Sequence, residues 1–123
     1  MTTTVWPAMA FRDSDRMITW LQAIGFTEHA TYRDNGTVVH AEWLWPGGGG
    51  IMFGDERDDS PLHEAGKAGT YLVTEDPDAV FDAAVAAGAT VQRPMEDQDY
   101  GGRSGSVRDP EGNHWSFGSY QPS

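Results

Sequence analysis

One sequence plan occurs twice in this chain, and the repetition restricts the fold before any strand is assigned. Val5 to Phe11 reads as a short strand, and Arg12-Asp13-Ser14-Asp15 supplies acids suited to starting a helix. Met17, Trp20, Leu21 and Ile24 then recur at helical spacing, and Gly25 ends the helix as a left-handed cap. Thr70 to Thr74 repeats the strand, Glu75-Asp76-Pro77-Asp78 repeats the acids with a first-turn proline, and Val80, Phe81, Ala84 and Val85 form an apolar stripe before Gly88. Asp13 and Asp76 stand 63 residues apart, as do Gly25 and Gly88, so the halves agree in spacing as well as in residue type.

After each helix the apolar period changes from helical to alternating, the signature of strands. In the first half Phe26 to Arg33 and Thr37 to Trp45 flank Asp34-Asn35-Gly36, whose Asn-Gly pair favours a tight hairpin, and Gly50 to Phe53 follows a loop of Pro46 and four glycines. In the second half Thr90 to Arg93, Gly105 to Arg108 and Asn113 to Gly118 take those places, with Asp109-Pro110-Glu111-Gly112 as the last turn. The pattern predicts an α+β fold of two βαβββ modules in a single domain of residues 1–123. Module one covers about 4–54, a polar linker 55–67, and module two about 68–120.

A chain of 123 residues with 38% hydrophobic content supports one core rather than two independent domains. The opening MTTTVWPAMAF lacks a basic segment followed by an apolar run, and no stretch approaches the roughly 20 apolar residues that cross a bilayer. The expectation is therefore a cytoplasmic protein without a membrane partner. Cysteine is absent, which excludes disulfides, thiolate nucleophiles and thiolate metal sites. Nineteen acidic against eight basic residues give a net charge of −11, which repels nucleic acid and favours cationic or neutral ligands. The same acidity also suits an ordinary solvated surface.

The βαβββ-βαβββ order, the strand-Asp-helix-Gly opening and the turn Asp109 to Asn113 closing into His114-Trp115-Ser116-Phe117 resemble the vicinal oxygen chelate superfamily, which includes glyoxalases, bleomycin-resistance proteins and dioxygenases. His40-Ala41-Glu42 and Asp99-Tyr100-Gly101-Gly102-Arg103 look like its glyoxalase-like or PhnB-like branch. The resemblance implies mixed sheets curled around a cavity with the helices outside. Strand alternation then turns Trp6, Ala8 and Ala10 inward, with Met9 and Phe11 toward the helix. It places His40, Glu42 and Leu44 on one face, Ser104, Ser106 and Arg108 on another, and His114, Ser116 and Gly118 toward the cavity, with Trp115 and Phe117 in the core.

Metal-dependent members of that superfamily, as the resemblance implies, take His or Glu ligands from the first and fourth strands of modules. Counting from Asp13 and Asp76 places those positions at Trp6, at Thr70 or Gly69, at Met52 or Phe53, and at Ser116. None suits a hard or borderline divalent ion, so neither the family's metal nor another cofactor is expected. His40, Glu42 and His114 form an alternative metal set. His29 and His63 lack partners at ligand spacing, no serine-hydrolase motif surrounds Ser104 or Ser106, and the four glycines precede a strand rather than a phosphate-binding helix.

The expected ligand-binding residues are Trp6, His40, Glu42, Met52, Thr70, Ser106, His114 and Ser116. The leading expectation is a metal-independent protein that sequesters an aromatic or cationic small molecule, bleomycin-resistance-like, as a homodimer. Trp6 would offer a flat wall, while Trp43 and Trp45 suit a pocket rim or a dimer contact. The alternatives are a glyoxalase-like lyase, isomerase or dioxygenase with an atypical metal site, a metal-free isomerase with Glu42 or His40 as base, and a domain that binds a macromolecular partner.

Overall fold

The computed structural model describes residues 3–59 and 64–122. Two compact units, residues 1–66 and 67–123, repeat one topology. The first contains β1 (Ala8–Phe11), α1 (Ser14–Ile24), β2 (Thr27–Asp34), β3 (Thr37–Leu44) and β4 (Gly50–Asp55). The second contains β5 (Gly69–Val73), α2 (Pro77–Ala86), β6 (Thr90–Asp97), β7 (Arg103–Arg108) and β8 (His114–Gly118). The sheets run β1-β4-β3-β2 and β5-β8-β7-β6, each with one parallel pair and two antiparallel pairs. Each sheet is open, not closed into a barrel.

The repeated punctuation works in both halves. Asp13 accepts the Arg16 amide at 3.1 Å and Asp76 the Ala79 amide at 3.1 Å, so each N-cap carboxylate satisfies a helix-start donor that has no partner within the helix. Gly25 ends α1 at φ 123°, donating to the carbonyls of Leu21 and Gln22. In the β2–β3 hairpin Asn35 and Gly36 both take positive φ, at 51° and 82°, as the primed turn requires.

In the first unit α1 lies against β1 and β4, and Met17, Trp20, Leu21 and Ile24 are buried with Met9, Phe11, Ala41 and Phe53. Phe11 and Phe53 meet at 4.9 Å between ring centroids. In the second unit α2 lies against β7, β6 and β8, and Leu72, Val107, Trp115 and Phe117 are buried.

Several strand limits differ from expectation for local reasons. β1 starts at Ala8 rather than Val5, after Pro7, which has no N–H to donate. β4 continues past Phe53 to Asp55, whose carboxylate accepts the amides of Ser14 and Val38 at 2.9 Å each; Asp55 is thus a structural clip, not the start of a linker. β6 continues through Pro94 to Asp97 because it is an edge strand, where a missing N–H breaks no ladder bond. Trp43 is 2% exposed and donates to Thr31 at 3.0 Å, while Trp45 packs on Phe26 at 5.0 Å. Trp43 is absorbed within the first unit, which removes it as a rim or dimer contact, while Trp45 stays partly exposed. Among the described residues no helix is long and apolar enough to cross a membrane.

Candidate functional site

The site-forming surface of the first unit follows from its register. Ala8 pairs with Met52 and Met52 with Glu42, so these side chains share one face, opposite Met9, Phe53 and Ala41. Trp6, two residues before Ala8, brings its indole over Gly50. A β-carbon there would stand 2.7 Å from Trp6 Cζ3 and run into the Trp43 carbonyl oxygen. Gly50 is therefore what allows a flat aromatic ring to lie on this sheet.

Two positions along β3, His40 points to the same side and its Nε2 lies 2.8 Å from Glu42 Oε2. His29 sits at a register shift in β2, which turns it toward Glu42, with Nε2 3.8 Å from Oε1. Tyr32 stacks on the His40 ring at 6.2 Å. Glu42, 31% exposed, thus presents one carboxylate between two imidazoles. Beside them a cleft of about 190 Å³ is lined by Ala8, Ala10, His40, Met52, Gly54 and Arg57. Its small residues admit a flat group; Asp55 and Arg57 bring charges of both signs to its lining, and the Glu42 carboxylate stands on the same sheet face as Met52.

In the second unit Tyr71, Ser116, Ser106 and Arg93 form one cross-strand row. His114 lies on the same face, with Nε2 2.9 Å from Ser116 Oγ and Nδ1 against Gln92 Oε1. Ser106, His114 and Ser116 therefore share one face of this sheet.

Thr70 is not with them. It pairs with Trp115, shares the side of Leu72 and Phe117, and its buried hydroxyl has no partner. The residue in register with Trp6 is Gly69, because Ala8 faces Met52 as Tyr71 faces Ser116. The 63-residue repeat offset already pointed there, and strand counting from Asp76 slipped by one. Tyr71 was missed for the same reason. Its hydroxyl donates to the Tyr120 carbonyl at 2.6 Å, and burial, followed by Tyr100 and Tyr120, pushes the phenol above its ordinary value.

The turn that suggested the superfamily, and Arg103 of a motif that suggested its glyoxalase-like or PhnB-like branch, do structural work. Asp109 Oδ1 accepts the amides of Glu111 and Asn113, and Oδ2 accepts Asn113 Nδ2 and Trp115 Nε1, at 2.8 to 3.0 Å. Arg103 grips Asp78 in the first turn of α2 at 2.8 and 3.2 Å, which holds that carboxyl below its ordinary range and raises the guanidinium.

The superfamily's metal positions therefore carry an indole (Trp6), a thioether (Met52), no side chain (Gly69) and a hydroxyl already engaged by His114 (Ser116). This donor set does not fit a zinc, nickel or iron ion. Of the alternative set, His40 and Glu42 bond each other in the first unit and His114 bonds Gln92 and Ser116 in the second. Among the described residues no three His, Asp or Glu side chains gather to hold a metal. His29 is largely exposed, and His63 lies outside the described residues.

Two open βαβββ sheets with this pairing define a class of protein, and the sequence profile of the Glyoxalase/Bleomycin resistance protein/Dioxygenase superfamily matches residues 4–117. The chain belongs to that superfamily. It is similar to an uncharacterized protein of Mycobacterium bovis, 39% identical over 95 residues, a stretch that is 68% of this chain and 60% of that one. The match thus spans less than two thirds of that relative's length. Among solved structures, TioX from Micromonospora sp. ML1 is 29% identical with a TM-score of 0.76, covering 98% of this chain and 100% of TioX. The bleomycin resistance determinant encoded on transposon Tn5, 19% identical over 98% of this chain and 100% of that one, shares the fold with a TM-score of 0.68.

Proposed function

We propose that this chain is a metal-independent binding protein that sequesters an aromatic, cationic small molecule, with drug or antibiotic resistance as its outcome in the cytoplasm. The observation that carries the proposal is the first unit's open face, where the Trp6 indole laid over Gly50, the Met52 side chain and the Glu42 carboxylate share one side of the sheet. An aromatic wall beside a carboxylate suits a planar cation through stacking and charge together. The net charge of −11 draws such a ligand from solution, and a bleomycin resistance determinant has the same fold. In the second unit, Ser106, His114 and Ser116 provide a second set of hydrogen-bonding contacts. We further propose a homodimer, in keeping with the habit of this superfamily.

Calorimetric titration with bleomycin, and with a smaller planar aromatic cation, tests the proposal. Saturable binding by metal-stripped protein is expected, and Trp6→Ala should weaken it by about 0.5–1.5 kcal/mol beyond the lost contact area, the range for aromatic pairs. Glu42→Gln should weaken it further and remove much of its salt dependence. Binding that appears only after zinc, nickel or iron is restored, or that is indifferent to both substitutions in folded protein, would overturn the assignment.

A further inference from the structure

The open face of the second sheet carries a constellation whose chemistry differs from ligand stacking. His114 and Ser116 stand two residues apart on β8, so both side chains emerge on one side of the sheet, Nε2 2.9 Å from Oγ. The other imidazole nitrogen, Nδ1, lies against Gln92 Oε1. Regular alternation along β6 would aim Gln92 away from this face, because its neighbour Arg93 pairs with Ser106 and so shares the side of Ser116. The register shift between Val91 and Arg93 re-aims Gln92 toward His114, a common effect of β-bulges.

The amide oxygen is an acceptor only, so the proton of the neutral ring sits on Nδ1 and is donated to Gln92. Nε2 then carries the lone pair and accepts from the Ser116 hydroxyl. This is the arrangement that readies a serine for attack: nucleophile, base, and a third group that fixes the base's tautomer. Arg93 adds a guanidinium to the same face, where it hydrogen-bonds Ser104 Oγ at 3.4 Å.

We propose that Ser116 is an activated nucleophile that takes an acyl group from a carboxylic ester, with His114 as its base and Gln92 as a positioning residue. In the step, Ser116 Oγ forms a bond to the ester carbonyl carbon and its proton passes to His114 Nε2. The carbon–oxygen bond to the alcohol then breaks, and that alcohol leaves with the proton from His114. Water attacks the acyl-serine by the same route in reverse, releasing the carboxylic acid and restoring Ser116. No oxidant, metal or further reactant enters. This activity is separate from sequestration on the first unit's face, and its failure would leave that proposal standing.

The intact chain treated with a fluorophosphonate probe gives the test, since attack by Oγ expels fluoride and leaves a stable adduct locatable by peptide mapping. The expected result is one adduct, on Ser116, that is lost in Ser116→Ala. His114→Ala should slow labelling about a hundredfold, the usual scale for removing a general base. Gln92→Leu should slow it as well, while Gln92→Glu, which still accepts from Nδ1, should restore it; a merely structural Gln92 would not show that rescue. Variants are compared after thermal melts establish that they are folded, and His114→Gln replaces His114→Ala if the latter is not. A folded wild-type chain without an adduct on Ser116, or with labelling as fast in a folded His114 variant, overturns the proposal.

Discussion

Asp109 illustrates how one side chain can determine a turn. It is 4% exposed, and its four hydrogen bonds satisfy two loop amides, the Asn113 side chain and the indole of Trp115, which is itself fully buried. Asn113 passes the connection on by accepting the Ala68 amide at 3.0 Å just before β5. Replacing Asp109 with alanine strands these donors out of water, and a cost of about 2–4 kcal/mol is expected, given the usual penalty for buried groups left unpaired. Urea unfolding of Asp109→Ala against wild type measures it; a difference under about 0.5 kcal/mol would mean the turn holds without the carboxylate. The Asp-Pro-Glu-Gly-Asn segment was legible in the sequence as a turn. Its hydrogen bonds to Trp115 and Ala68 were not, since both depend on strands brought alongside by folding.

Elements meet their neighbours through a few close approaches, and two of them make predictions. Where β4 begins, Gly50 leaves space that Trp6 occupies. Gly50→Ala should therefore destabilise the fold by about 1–3 kcal/mol, the usual range for overpacking, and lift the indole from the sheet. A shift in tryptophan emission accompanying a lower melting temperature is the expected observation; unchanged emission would place Trp6 elsewhere. Where α2 begins, Arg103 from β7 holds Asp78. Because the carboxyl's folded value lies below the ordinary 3.8, the pair contributes stability above that pH, and the contribution is lost as pH falls through the depressed value. Arg103→Ala should return the Asp78 titration toward 3.8 in a carboxyl-selective NMR experiment. Both side chains are about half exposed, so added salt should shrink the shift as well.

For the whole molecule, the expected species in light scattering is a dimer of twice the 13.5 kDa chain mass. A monomer would set aside the homodimer and leave ligand binding to be judged separately. The acidic surface gives a second expectation: raising the ionic strength should weaken a cationic ligand more than a neutral analogue of the same shape, through screening of the −11 charge. Equal responses would mean that stacking dominates.

The order of elements, both helices with their Asp caps and glycine ends, and the alternation that separates helix-facing from open-face residues were all present in local patterns. They were legible because capping, turn chemistry and side-chain period act over a few residues. Alternation groups Trp6, Ala8 and Ala10 on one side of their strand and His40, Glu42 and Leu44 on one side of theirs for that reason. Strand pairing settled the rest. A one-residue slip reverses the face of every side chain, so Thr70 went to the helix side and Tyr71 to the open side once β5 aligned with β8. Edge position let β6 run through Pro94, and a bulge within it turned Gln92 to His114. These outcomes depend on hydrogen bonds between strands far apart in the chain, and no local pattern of residues records which partner each strand will find.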